Sequence, residues 1–190
     1  MQELWIFNGI PSAGKTTTAK AFAKKFAKAA VISRDDLQDQ IISGSVRPDG
    51  LPIEDAALQI DMNVRNQCSL VKSYVQHGFI AICDDVIGEH QLAIYESSLK
   101  DYPINLVTLN PTLDVAQERD KQRSSESQFN PQVSVQSVQQ DRMARWKNLQ
   151  ETVLTLSGIG LWIDNSRISV EDTVKHILKN KEKCLLKAGK

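Results

Sequence analysis

Between Asn8 and Thr18 the chain reads NGIPSAGKTTT: two glycines five positions apart, then a lysine and three threonines. The apolar run Leu4-Trp5-Ile6-Phe7 precedes it and a segment rich in Ala, Lys and Phe follows, so a strand should lead into this stretch and a helix out of it. Gly9-Ile10-Pro11-Ser12-Ala13-Gly14-Lys15-Thr16 fits GxxxxGK[ST], and the strand-loop-helix frame is the context that makes the pattern specific. A chance glycine-rich turn is the competing reading, and eight matched positions in the right frame disfavour it.

In such a loop the glycines let the backbone wrap so closely that successive N–H groups turn inward, and the positive end of the following helix adds to the anion cradle. Lys15 then reaches the β- and γ-phosphates, the Thr16 hydroxyl can ligate magnesium, and Thr17 offers a hydroxyl to the α-phosphate. Gly9, Pro11, Ser12, Ala13, Gly14, Lys15, Thr16 and Thr17 are therefore the candidate nucleotide-binding residues.

Short strand-like runs alternate with helical patterns through the rest of the chain, as in a parallel sheet covered by helices. The runs are Leu4 to Asn8, Ala30 to Ser33, Phe79 to Asp84, Ile104 to Asn110 and Gly160 to Asp164. FIAIC and INLVTL are almost continuously apolar, which suits strands buried on both faces. Between them, Ala19, Phe22, Ala23 and Phe26, and then Ala57, Ile60, Val64, Cys68, Val71 and Val75, recur at helical spacing and read as core. Ser43 to Asp55 has the Gly, Pro and Asp content of a loop, and Arg119 to Pro131 is a polar stretch nearly free of apolar residues. Lys175 to Lys190 reads as the solvated side of a last helix whose inner side is Val174, Ile177, Leu178 and Leu185. At 190 residues, 41% of them hydrophobic, one core over 1–190 is expected, with a lid at about 119–145.

Lys plus Arg and Asp plus Glu both number 23, and only 6% of residues are aromatic, so neither a global field nor an aromatic-basic stripe points to long nucleic acid. The three cysteines show no metal-ligand spacing, and an odd number of them suits a reducing, cytoplasmic setting without structural disulfides. No window has the apolar length needed to span a bilayer, so no membrane partner is expected.

Ligands in open α/β sheets bind at the carboxyl ends of the strands. The second run ends in Ser33-Arg34-Asp35-Asp36, where Asp35 is the candidate general base for an acceptor hydroxyl and the neighbouring acid a helix cap. The third ends in Cys83-Asp84-Asp85, an apolar run closed by acid, so Asp84 or Asp85 would organise magnesium with Thr16, and spacing does not say which. After the fourth run comes a charged helix, Asp114 to Arg123, that runs into the polar loop; its Arg119 and Arg123, with Arg142 and Arg145 on the far side, are candidates to neutralise a transferring phosphoryl group.

With IFNGIPSAGKT, the Asp35-Asp36-Leu37 turn, HGFIAICDDVIG and ERDKQR in view, the chain resembles the chloramphenicol phosphotransferase-like branch of the P-loop kinases, itself similar to the zeta-toxin and polynucleotide-kinase groups. The resemblance covers most of the chain. It implies an α/β three-layer fold with a five-stranded parallel sheet of order 2-3-1-4-5, helices on both faces and a helical lid. It also implies ATP with Mg2+, Asp35 as base, Arg119 near adenine and phosphates, and Arg123 in the lid. The loop from Ser43 to Asp55 departs from the antibiotic kinase, so the reaction is carried over and chloramphenicol is not.

The expected activity is ATP-dependent phosphoryl transfer to a hydroxyl of a small-molecule acceptor by a monomer or weak homodimer. A nucleoside, nucleotide-sugar or polynucleotide 5'-hydroxyl kinase would use the same apparatus. A non-catalytic nucleotide-binding regulator is the alternative of another class; for guanine specificity it would need an NKxD motif, and the nearest segment, Asn180-Lys181-Glu182-Lys183, lacks the final acid.

Overall fold

A computed structural model describes residues 3–126 and 146–186. The strands are β1 (Leu4–Asn8), β2 (Ala29–Ser33), β3 (Ile80–Asp84), β4 (Ile104–Leu109) and β5 (Leu161–Ile163). The helices are α1 (Lys15–Ala23), α2 (Arg34–Asp39), α3 (Ile53–Gln76), α4 (Glu89–Ser98) and α5 (Leu113–Glu126). Residues 146–154 form α6, followed by α7 (Val170–Lys179) and α8 (Lys181–Cys184).

All five strands run parallel in the order β2-β3-β1-β4-β5, as the resemblance implied. Period-two alternation explains why β1 has no polar face. Leu4 and Ile6 enter the core shared with Val64, Cys68 and Tyr95 of α3 and α4, whereas Trp5 and Phe7 enter the opposite core with Phe22 of α1 and Ile177 of α7. Every parallel strand therefore delivers its carboxyl end to the same edge.

Phe22 anchors the second core, fully buried, with ring centroids 4.7 Å from Trp5, 5.4 Å from Phe7 and 5.0 Å from Phe26. Phe22→Ala is expected to destabilise the protein by about 3–5 kcal/mol, read as a lower urea midpoint, because the void cannot collapse against so many neighbours.

Three local expectations are corrected. Helix α3 starts inside the expected loop, at Ile53 directly after Pro52, with Glu54 and Asp55 in its first turn facing the positive dipole end. Helix α5 covers the charged segment Asp114 to Arg123 expected to be helical and continues to Glu126, into the polar stretch expected to follow it as a loop. It buries Ala116, and its exposed face carries the i,i+4 contact from Gln122 to Glu118 at 3.3 Å. The expected last helix is broken: α7 stops at Lys179, the short α8 follows, and Leu185, half exposed, bridges antiparallel to Asn105 instead of joining the apolar stripe. No helix among the described residues is long and apolar enough to cross a membrane.

Candidate active site

The loop after β1 occupies the middle of the carboxyl edge, because β1 is the central strand. Its backbone demands glycine at both ends. Gly9 has φ +146°, and a Cβ there would sit 2.4 Å from the Leu109 carbonyl oxygen of β4. Gly14 is left-handed at φ 91° and caps α1 without a side-chain bond, leaving the first-turn N–H groups of α1 free for an anion. Ser12, at φ 57°, holds a left-handed conformation rare for a residue with a Cβ, and its hydroxyl donates to Asp120 Oδ1 at 3.0 Å.

A cavity of about 1240 Å³ opens over this loop, and Ser12, Lys15, Thr16, Asp35, Asp84 and Arg119 all line it. Thus the structure brings the separate strand-end candidates together with the loop. Lys15 Nζ donates to the Ile10 carbonyl at 3.1 Å. Burial pushes its pKa down, while the charges of Asp84, Asp35 and Asp85 pull it back up. Such an ammonium gains an additional partner when a phosphate arrives.

Asp84 and Asp85 are adjacent but face different surroundings. Asp84 lines the cavity and accepts from the Thr16 hydroxyl in a short hydrogen bond. Burial pushes its carboxyl pKa up, against the opposing pull of Lys15 and Thr16. Two hard oxygen donors thereby meet beside the phosphate loop, which fits magnesium. Among the described residues no group of three or more His, Cys, Asp or Glu converges, so such an ion would take its other ligands from phosphate oxygens and water.

Asp85 turns away from the cavity and is wholly enclosed. Its Oδ1 sits 2.9 Å from Arg34 Nε and accepts the Val86 N–H at 2.6 Å, and its Oδ2 lies 3.1 Å from the Tyr95 hydroxyl. Burial raises its pKa, and the Arg34 guanidinium holds it back. Gln67 continues the network, 2.6 Å from the Tyr95 hydroxyl and donating to the Ile32 carbonyl at 2.9 Å, so the ends of β2 and β3 are tied together.

Asp35 stands in the first turn of α2, exposed to the cavity. Capping of α2 falls to Ser33, whose hydroxyl accepts the Asp36 N–H at 3.3 Å, rather than to the aspartate expected from sequence. Ser is equally suited to that position, and its place before both acids leaves Asp35 free of the task.

On the far flank Arg119 donates to the Asn165 carbonyl at 2.9 Å and to the Ala13 carbonyl at 3.5 Å. Asn165, just beyond β5, also donates to Ala13 at 2.8 Å, so the loop is clamped from two directions. Sequence reasoning missed Arg34 and Asn165 as parts of the site. Arg34 carried a signal, since it abuts Asp35 at a strand end, and so did Asn165, which directly follows the fifth run. The side chain of Arg123, with all of Arg142 and Arg145, lies outside the described residues, as does most of the expected lid.

A family model described as an AAA domain matches residues 4–146. No curated protein matches the sequence. Among solved structures, the Mycobacterium tuberculosis APS kinase in complex with AMPPNP and APS has a TM-score of 0.61 at 14% identity, covering 95% of this chain and 97% of that one. A sugar kinase from a Janibacter species gives 0.59 at 15% identity, with 95% of each chain covered. The Deinococcus radiodurans tunicamycin resistance protein gives 0.57 at 18% identity, with 97% and 98% covered. These likenesses establish the shared fold.

Proposed function

The chain belongs to the AAA domain family, and from that premise we propose that it is an ATP-dependent kinase transferring the γ-phosphoryl group to a hydroxyl of a small molecule. The observation that carries the reading is the convergence of Lys15, Asp35 and Asp84 on one cavity over a glycine-bounded phosphate loop. A carboxylate beside the acceptor space can take the proton of an attacking hydroxyl, which is the base role that phosphoryl transfer to an alcohol uses. The fold shared with an APS kinase described with AMPPNP and APS, and with a sugar kinase, supports a nucleotide and a small acceptor side by side. The chloramphenicol phosphotransferase-like motifs support the same reaction without supplying the acceptor.

In the proposed reaction Asp35 accepts the acceptor's hydroxyl proton while that oxygen bonds to the γ-phosphorus. The bond from the γ-phosphorus to the β,γ-bridging oxygen breaks, releasing ADP and a phosphate monoester. Lys15 and Arg119 neutralise charge on the phosphates, with Arg123 as a further candidate. The loop from Gly9 to Thr17 wraps the phosphates, with main-chain N–H groups at the start of α1 turned toward them. Thr16 and Asp84 would hold magnesium, which would supply charge neutralisation for the phosphates. Asp85 serves by fixing Arg34 and the end of β3.

The test is transfer of label from γ-labelled ATP with magnesium into a pooled panel of alcohols, antibiotics, nucleosides and nucleotide sugars. A labelled product is expected with the parent protein and none with Lys15→Ala. Nucleotide that binds and is never consumed, whatever acceptor is offered, would favour a regulator instead.

A further inference from the structure

The two flanks of the cavity differ in chemistry. On the β5 flank lie Arg119 and Asn165; on the β2 flank lie Asp35 and the start of α3, since β2 and β5 are the opposite edges of the sheet. An acceptor whose hydroxyl meets Asp35 must rest its body on the β2 flank.

That flank is apolar. Pro48, Leu51, Ile53, Ala56, Ala57 and Ile60 line it. Leu51 and Ile53 are 80% and 68% exposed, an unusual state for large aliphatic side chains bordering one cavity. The charged side chains on this flank, among the described residues, are Arg34, Asp35 and Asp49. Arg34 is already paired with the enclosed Asp85, and the exposed Arg47 stands next to the wall without lining it. An anionic acceptor would therefore meet the Asp35 carboxylate beside its reacting hydroxyl and a guanidinium already paired, while Asp49 has an interaction of its own.

The wall is also held in place. Gln59 Oε1 accepts the Val46 N–H and its Nε2 donates to the Gly44 carbonyl, both at 2.8 Å. Gln38 Nε2 donates to Gln59 Oε1 at 2.9 Å. Peptide-like pairing of a side-chain amide with the loop backbone docks the loop onto α3 before any ligand arrives, so its apolar surface is offered ready-made.

Resting on the kinase reading above, we propose that the acceptor is an uncharged alcohol with an apolar ring or branched alkyl body, and that phosphorylated, sulfated and polynucleotide acceptors are rejected. The acceptor loses its hydroxyl proton to Asp35, gains the γ-phosphoryl group and leaves as a monoester with ADP as co-product. Leu51 and Ile53 cover its apolar body, and binding withdraws their own surface from water.

The experiment first titrates a fluorescent ATP analogue against the full chain, then compares label transfer from γ-labelled ATP to matched alcohols that differ by one carboxylate, sulfate or phosphate. The uncharged member of each pair should lead in kcat/KM on the order of 100-fold, the penalty of an uncompensated charge against this wall. Leu51→Arg, at an exposed position that tolerates replacement, should narrow that gap by roughly fivefold while leaving affinity for the ATP analogue unchanged. Labelling of anionic members as well as or better than uncharged ones, no labelling of any uncharged member, or a gap that Leu51→Arg leaves unmoved, would each overturn the proposal. Lys15-dependent transfer confined to anionic acceptors would do so while leaving the kinase reading intact. Failure to bind the ATP analogue would overturn both.

Discussion

Asp35→Asn is expected to leave affinity for ATP unchanged and to slow phosphoryl transfer by about 10²–10⁴-fold. The amide has nearly the shape of the carboxylate but cannot take a proton from the attacking hydroxyl. Asp35 is exposed in the first turn of α2, and capping of that helix rests on Ser33, so the substitution should not disturb folding. The contrast with Lys15→Ala is informative. Lys15 sits within the phosphate loop itself, so its loss should weaken nucleotide binding as well as transfer. Single-turnover transfer from labelled ATP, set beside equilibrium binding of the nucleotide, separates the two effects. Full transfer activity in folded Asp35→Asn would remove Asp35 from the mechanism.

The second large effect concerns stability. Arg34→Ala is expected to cost about 3–5 kcal/mol at neutral pH, because it strands the Asp85 carboxylate in an enclosed position. The side chain of Asp85 has no exposed surface and that of Arg34 is 10% exposed, so solvent screens this pair little. Burial raises the folded-state pKa of Asp85 and Arg34 opposes it; without Arg34 the raising cause dominates. A carboxyl group whose folded pKa lies above its unfolded value, about 3.9, favours the native state fully below that value and loses the benefit as pH rises through the folded pKa. The deficit of Arg34→Ala should therefore be small in mild acid and grow toward neutrality, and urea midpoints at several pH values would trace it. Replacing both partners with apolar residues, Arg34→Met with Asp85→Leu, should recover most of the loss. A double variant as unstable as Arg34→Ala would show that the wider network through Tyr95 and Gln67, not the charge pair, is the critical part.

The fold was largely readable because its signals are local and periodic. Continuous apolarity in Ile104 to Leu109 requires cover on both faces, and GxxxxGK[ST] between a strand and a helix constrains the backbone whatever surrounds it. The misread places were those where a local signal is ambiguous. Ser33, Asp35 and Asp36 are all good capping residues, and only the position at which the backbone leaves the sheet selects Ser33. The charged helix expected over Asp114 to Arg123 is present, but Ser124 to Glu126 have no apolar stripe to announce that α5 runs on through them. Leu185 matched the helical spacing of Val174 and Ile177, but the helix ends first and the chain turns to meet β4.

By itself the sequence determined a parallel α/β sheet with a phosphate loop at its centre and acids at the strand ends, because glycine placement and hydrophobic period act within a few residues. Tertiary structure alone decided how those acids divide their work. Neighbouring residues leaving a strand point in different directions, and Asp84 reaches the Thr16 hydroxyl while Asp85 is enclosed with Arg34 and Tyr95. The chemistry of the two flanks was likewise invisible beforehand. Arg119 meets Asn165, and Asp35 shares a cavity wall with Leu51 and Ile53, only after the sheet order brings distant segments together, since burial and charge pairing depend on neighbours in space.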